Sequence, residues 1–444
     1  MFSKITPTKI IVIGYALIIL TGTLLLTLPF ATVDGLGAPF SDALFTATSA
    51  TCVTGLVVHD TVQYWSTFGQ LVLLSLIQVG GLGFITMAVV IVTLTKKKIG
   101  LKQRILMQES ICAPQMGGIV RLTRFAVGMT FLLEGTGAFL LSFRFCKDFG
   151  FGRGVYYSIF HAISAFCNAG FDHLGKNEAY ISIGNYRTDA LVCGVIMMLI
   201  VVGGLGFFVW KDIKKNRFRF RRYSLQTKIV LTTTAVLIVL GTVIFMILEY
   251  DNPMFKGYSF FDKLLICLFQ SVSPRTAGFA GVNLAKFTEA SLFITIVLML
   301  IGGSPGSTAG GMKTTTVAVS VFALHSLFKK QHNIQCFSRR IGEDVMRRSM
   351  TVIALYFVLF FIASTVISAL EDIAILPCMF ESASALGTVG LSMGITPELG
   401  QISRSILIAL MYFGRVGGLT ILFAVADKQV ETHSKMPLEN IAIG

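Results

Sequence analysis

Four glycines are the residues of this chain whose spacing suggests chemistry. Gly55, Gly170, Gly278 and Gly390 stand 115, 108 and 112 residues apart. Each is followed by Leu or Phe, and each closes a short apolar stretch: Phe45-Thr46 to Gly55-Leu56, Phe160-His161 to Gly170-Phe171, Phe269-Gln270 to Gly278-Phe279, Phe380-Glu381 to Gly390-Leu391. Glycine is called for where the backbone takes a conformation that a Cβ disfavours. Small and hydroxylated neighbours (Thr51, Thr54, Thr276, Thr388) permit close approach. Four such segments around one axis would present a ring of backbone carbonyls, the chemistry that replaces the hydration shell of an alkali cation. The candidate ion-binding residues are Val53, Thr54 and Gly55; Asn168, Ala169 and Gly170; Thr276, Ala277 and Gly278; Thr388, Val389 and Gly390. One glycine per segment implies few carbonyl layers and modest discrimination among alkali cations.

These segments need elements to position them. The chain has 444 residues, 54% hydrophobic and only 14% charged, where a soluble domain carries about 25% charged residues. Its mean hydropathy is +0.75. That composition excludes a cytosolic enzyme, a nucleic-acid-binding protein and a disordered scaffold. Apolar runs at 10–28, 68–94, 125–143, 190–210, 229–248, 291–328, 350–370 and 405–426 predict eight transmembrane helices, a bilayer core needing ~20 residues at ~1.5 Å each. The first run is too long for a cleaved signal core. Each glycine segment lies between two runs, and its 10–13 helical residues are too short to cross, so four re-entrant pore helices are expected. Repeats at 1–94, 117–210, 225–328 and 349–426 all start on the same side and are therefore parallel, unlike inverted-repeat transporters. The fold class predicted is an all-α integral membrane protein with one pseudo-fourfold pore.

Charge orients the chain. The segments 95–116, 211–228 and 329–348 carry +4, +7 and +4, against +14 for the whole sequence. By the positive-inside rule they face the cytoplasm, as do both termini and a tail at 427–444. The same loops are candidate docking surfaces for a cytosolic partner. The eight cysteines form no CxxC pair and read as buried thiols.

The 291–328 run contains one charge, Lys313. As a continuous helix its 38 residues would measure ~57 Å, nearly twice the bilayer core. Gly302, Gly303, Ser304, Pro305, Gly306, Ser307, Thr308, Ala309, Gly310 and Gly311 crowd its middle, so a break is predicted there. Gly302 follows Gly278 by 24 residues, and Gly414 follows Gly390 by 24, with Arg415 next. Arg415 is thereby expected at similar depth, where its five donors can satisfy freed carbonyls of the loop and obstruct cations. The alternative is an ion pair with Glu134, an acid alone in an apolar run. The stretch Gly306 to Thr314 nearly matches a phosphate-binding loop, but Met312 intrudes and no strand precedes it. His161 reads as a hydrogen-bonded packing residue. Asp42 and Asp262 read as capping carboxylates. No catalytic set is identifiable, which argues against a membrane enzyme; parallel repeats with few midplane polar groups argue against a coupled transporter of organic solutes.

On Thr54-Gly55-Leu56, Ser164-Ala165-Phe166-Cys167-Asn168-Ala169-Gly170-Phe171, Pro274-Arg275-Thr276-Ala277-Gly278-Phe279 and Gly387-Thr388-Val389-Gly390-Leu391, the chain resembles the Trk/Ktr/HKT superfamily of potassium transporters over essentially its whole length. The short lead before Ile10 makes it most similar to the bacterial membrane subunits of KtrB type, TrkH-like members having additional amino-terminal helices. The resemblance implies potassium uptake across the cell membrane by passive, channel-like conduction, with K⁺ at the filter carbonyls. It maps the family's intramembrane gating loop onto 302–311 with Lys313, and its partner arginine onto Arg415. Gly55, where sodium-carrying plant members have serine, favours potassium. It further implies a homodimer on a cytosolic nucleotide-binding ring of KtrA type, no cofactor within this chain, no nucleic-acid partner, and Na⁺ as a candidate activator. A sodium-conducting or K⁺/Na⁺ co-transporting member of the superfamily is the alternative.

Overall fold

The computed structural model describes residues 6–83, 86, 100–110, 117–175, 180–217, 219–331, 333–418 and 420–421. It is almost wholly helical. Four helices among the described residues are long and apolar enough to cross a membrane: α1 (Pro7–Leu26), α5 (Ile119–Phe149), α9 (Leu225–Glu249) and α13 (Glu343–Glu371). Local chemistry sets where they begin. Thr6 and Ser224 accept the backbone N–H three residues on, at Lys9 and Thr227, and Pro7 occupies the first turn of α1 where its missing donor is harmless. The most apolar windows of these helices bury only 28–33% of their residues. Leu17, Leu24, Phe131, Phe139, Val239, Ile247, Phe357 and Ile362 point outward, as helices facing lipid require.

Inside this layer lie four short helices: α2 (Phe40–Thr51), α6 (Phe151–Cys167), α10 (Phe260–Val272) and α14 (Ile375–Gly387). Their C-terminal halves are buried almost without exception. A third set follows them in sequence: α3 (Thr67–Leu82), α7 (Ala190–Leu205) continuing into α8 (Phe207–Asn216), α11 (Glu289–Leu300) continuing into α12 (Thr314–Phe328), and α15 (Gln401–Val416). The short helix α4 (Leu101–Ser110) lies between α3 and α5.

In this third set the runs break where, apart from the break in 291–328, the sequence predicted continuous helices, which corrects that expectation. The helix predicted over 68–94 ends at Leu82, and most of 84–94 lies outside the described residues. The one predicted over 190–210 bends by 93° between α7 and α8. The one predicted over 405–426 breaks after Val416; 419 and 422–426 lie outside the described residues. Gly83, Gly206 and Gly417 stand at these ends with φ of +82°, +93° and +92°, a region that right-handed helix cannot continue through. The break inside 291–328 falls at 301–313, where Ile301 bridges Met312 and Gly302 N–H donates to Met312 O at 2.7 Å.

The apolar core forms two main clusters. One is built chiefly from the first two helix groups around Phe145, Phe160 and Phe166, the other chiefly from the last two around Phe245, Phe360 and Phe380. At the basic end, the 329–348 segment forms a two-stranded hairpin, β1 (Gln335–Cys336) and β2 (Arg339–Arg340). Most of 95–100, and all of 111–116 and 427–444, lies outside the described residues.

Candidate functional site

The four buried helices end in one backbone pattern. Val53, Asn168, Thr276 and Thr388 adopt φ of +57°, +61°, +65° and +52°, and the glycine two residues later adopts +91°, +70°, +76° and +94°. A serine within the last turns secures each segment. Thr54, Ala169 and Val389 donate their N–H to the carbonyls of Ser49, Ser164 and Ser384 at 2.7–2.8 Å. Gly55 and Gly390 donate to the hydroxyls of Ser49 and Ser384 at 3.0 Å. Ser164 and Ser273 donate to the carbonyls of Phe171 and Phe279 at 2.7 and 2.5 Å.

The glycines meet in cyclic order. A Cβ built on Gly55 would lie 2.3 Å from Ala169 O; on Gly170, 2.6 Å from Ala277 O; on Gly278, 2.3 Å from Val389 O; on Gly390, 2.1 Å from Thr54 O. Each glycine thus abuts the carbonyl preceding the next glycine, and the fourth returns to the first. Asn168 Nδ2 also donates across the second junction to Arg275 O at 3.1 Å. The hydroxyls of Thr51, Thr54 and Thr388 are buried without a protein partner.

The 302–311 segment packs against this ring. Thr308 Oγ1 donates to Phe166 O at 3.0 Å, at the C-terminal end of α6. A Cβ on Gly310 would meet Thr388 Oγ1 at 2.2 Å, and one on Gly311 would meet Gly387 O at 2.7 Å. Ser304 N–H and Thr308 N–H donate to Gly204 O and Gly203 O, and Phe207 N–H donates to Gly306 O at 2.8 Å, tying the segment to the bend after α7. Lys313 Nζ donates to Ala309 O at 2.8 Å. Ser307 Oγ donates to Ser304 O, and Gly303 and Pro305 complete the turn against Ala309 and Gly206. Arg415 donates to Thr308 O, Gly80 O and Gly81 O, the last at 2.9 Å. Its guanidinium therefore joins the loop to the end of α3.

Arg415 and Glu134 form no ion pair among those of the described residues. Glu134 is 4% exposed and accepts from Gln78 Nε2 at 3.2 Å and Cys167 Sγ at 3.8 Å. Asp262 completes a capping box with Ser259. Asp42 instead accepts from Arg404 Nη1 at 3.0 Å and contacts His59 Nε2 at 2.7 Å. Sequence reasoning passed over Arg404 and Gly206, and it named Thr308 only as one residue of the loop. The Gly-Gly-Leu-Gly-Phe pentapeptides at 80–84 and 203–207 were a signal for Gly206. Among the described residues no group of three or more His, Cys, Asp or Glu is placed to hold a metal.

A family model described as a cation transport protein, TrkH, matches residues 6–433. Full-length relatives include the potassium/sodium uptake protein NtpJ of Enterococcus hirae, 38% identical over 99% of this chain and 98% of its own, and the Ktr system potassium uptake protein B of Bacillus subtilis, 40% identical over 96% and 94%. The crystal structure of the potassium transporter TrkH from Vibrio parahaemolyticus shares the fold, with a TM-score of 0.74 at 18% identity over 96% of this chain and 86% of that one. The chain is a multi-pass membrane protein, an ion transporter and no enzyme, and it belongs to the TrkH cation transport family.

Proposed function

We propose that the chain is the ion-translocating subunit of a Ktr-type potassium uptake system. The observation that carries this is the cyclic closure of Gly55, Gly170, Gly278 and Gly390 against the carbonyls of Ala169, Ala277, Val389 and Thr54. Left-handed backbone at alternate residues turns successive peptide planes over, so that carbonyls can line one axis and coordinate K⁺. The unpartnered hydroxyls of Thr51, Thr54 and Thr388 supply further oxygens at that depth. In this reading α2, α6, α10 and α14 are re-entrant pore helices. Each broken element of the third set counts with its continuation as one membrane crossing, giving eight crossings and four parallel repeats.

The 302–311 loop lies against the C-terminal ends of α6 and α14 and is the gate, with Arg415 as its latch. The guanidinium opposes cation passage while it holds Thr308 O, and displacing it opens the path. Glu134, buried beside Gln78 and Cys167, has a structural role. The basic segments 211–228 and 95–116 face the cytoplasm and receive a nucleotide-binding ring of KtrA type on a homodimer. K⁺ is the main transported ion. The relative named for potassium and sodium uptake favours a second reading, in which Na⁺ also passes or activates. Expression in cells lacking their own potassium uptake systems tests the proposal: growth at low K⁺ should be restored when a Ktr-type ring is co-expressed. Correctly inserted protein that restores no growth and takes up no Rb⁺ would overturn it.

A further inference from the structure

In each repeat a polar residue follows the buried phenylalanine of the short helix: Thr46 after Phe45, His161 after Phe160, Gln270 after Phe269, Glu381 after Phe380. The irregular segment that leaves each glycine is its outer strand. All four are buried, His161 and Glu381 completely. Two of them grip the same atom of their strand. Met393, three residues beyond Gly390, donates its N–H to Glu381 Oε1 at 3.1 Å. His173, three residues beyond Gly170, donates its N–H to His161 Nε2 at 3.3 Å. Each grip is reinforced. Ser392 Oγ and Thr396 Oγ1 donate to the two oxygens of Glu381 at 2.5 and 2.8 Å. His161 Nδ1 lies 2.7 Å from Tyr157 O; a carbonyl only accepts, so Nδ1 carries the proton and Nε2 of the neutral ring offers its lone pair to His173. The His173 ring is held in turn by Gln70 Oε1 at 2.9 Å, which also accepts from Tyr156.

The other two repeats lack the grip. Thr46 Oγ1 is spent on Asp42 O within its own helix. Gln270 has no hydrogen-bond partner on either side-chain atom, and it lines a small gap with Arg187, Gly281 and Val282, where Gly281 is the residue three beyond Gly278. Because the glycines follow one another in the order 55, 170, 278, 390, the second and fourth repeats face each other across the axis. The two pinned strands are therefore diagonal partners.

We propose that His161 and Glu381 are positioning residues for ion selection. From their own short helices they pin the segments beyond Gly170 and Gly390 at the third residue. The segments beyond Gly55 and Gly278 are held differently, by Asp42 on His59 and Tyr180 on Val58 O, and by Ser182 and Ile183 on Ala280, so this grip is twofold where the glycines are fourfold. In the snug-fit account of selectivity, a carbonyl ring prefers the larger ion because its members resist closing on the smaller one. Two pinned strands supply that resistance. This inference rests on the reading of the glycine ring as a filter.

The test is Rb⁺ uptake, with Na⁺ competing, by cells that lack other uptake systems and co-express the ring. Detergent-extracted yield and melting temperature serve as checks on folding. His161→Leu and Glu381→Leu should each lower the Rb⁺/Na⁺ preference by roughly three- to tenfold, the weight of one net hydrogen bond. His161→Gln and Glu381→Gln keep an acceptor and should stay within about twofold of wild type. Should the Leu variants fail to fold, Glu381→Asp and His161→Asn, whose shorter acceptors cannot reach the amide, replace them with the same expectation. Unaltered preference in folded Leu, Asp or Asn variants, while Gly55→Ser does alter it, overturns the pinning role and leaves the filter reading intact. Unaltered preference in Gly55→Ser as well overturns both.

Discussion

Gly55, Gly170, Gly278 and Gly390 exclude a side chain twice over. Their φ values of +70° to +94° cost an L-residue about 1–2 kcal/mol. Independently, a Cβ would press within 2.1–2.6 Å of the next segment's carbonyl, a distance that forces that carbonyl to move. The second penalty falls on the neighbour and so on the ring itself. Gly55→Ser should therefore lower K⁺ uptake and the K⁺/Na⁺ preference by roughly tenfold, the equivalent of about 1–2 kcal/mol of strain, in protein that still inserts; competition of Na⁺ against Rb⁺ uptake measures it. Gly194 offers the contrast. It sits inside α7 with nothing within 4 Å of a built Cβ and an ordinary helical φ. Gly194→Ala should leave uptake unchanged and raise stability by about 0.5–1 kcal/mol, the usual gain of alanine over glycine in a helix, seen as a higher melting temperature in detergent.

At the scale of elements, the helices after each glycine ring segment are informative because they fail to continue. Gly206 takes φ +93°, a Cβ there would meet Pro305 O at 2.7 Å, and its neighbour Phe207 holds Gly306 O. The bend after α7 and the 302–311 loop are thus one unit, with Arg415 linking the loop to α3. Arg415→Ala removes charged donors from Thr308, Gly80 and Gly81, each worth about 1.5–3 kcal/mol. In the gate reading it should raise Rb⁺ flux about tenfold or more in cells without the ring, and deletion of 304–310 should act in the same direction. Lower flux together with lost folded protein in both would make the contacts purely structural. These breaks mark the limit of what was legible in the sequence. The short helices overlap the stretches read from Phe45, Phe160, Phe269 and Phe380 but start earlier, at Phe40, Phe151, Phe260 and Ile375, and α6 has 17 residues where 10–13 were expected; burial on all sides demands small and apolar residues toward the glycine. The break in 291–328 was visible too, since Pro305 and a crowd of glycines stand in it. The breaks at Gly83, Gly206 and Gly417 were not read, although glycines cluster at each, because a few glycines in an apolar run barely change its hydropathy. The sequence reading offered Arg415 both the loop carbonyls and Glu134; that it also reaches Gly80 O and Gly81 O was not legible, as carbonyls have no sequence signature.

At the scale of the whole molecule, residues hundreds of positions apart must meet before the glycines can face one axis. The fourth helix group returns to the first: Tyr412 OH donates to Val12 O at 2.5 Å, Gly390 abuts Thr54, and Arg404 donates to Asp42 at 3.0 Å. Loop-closure entropy opposes such contacts until most of the chain is in place, so a strong tie at the seam is needed. Asp42 and Arg404 are 12% and 18% exposed, sheltered enough for their attraction to escape most screening. Each also keeps a second partner, His59 for Asp42 and Pro397 O for Arg404. Neither is therefore left bare when the other is removed, which holds the loss below the 3–5 kcal/mol of a fully buried broken pair. Arg404→Ala and Asp42→Ala should each destabilise the protein by about 1–3 kcal/mol, and the double variant by less than their sum, with a coupling of about 1 kcal/mol or more. Melting in detergent, followed by size-exclusion profile, measures the cycle. Ion preference in surviving Arg404→Ala protein should match wild type, because the side-chain partners of Arg404 are Asp42 and Pro397 O, whereas Asp42 also holds His59, four residues beyond Gly55. Strict additivity of the two single variants would show that the seam is held elsewhere.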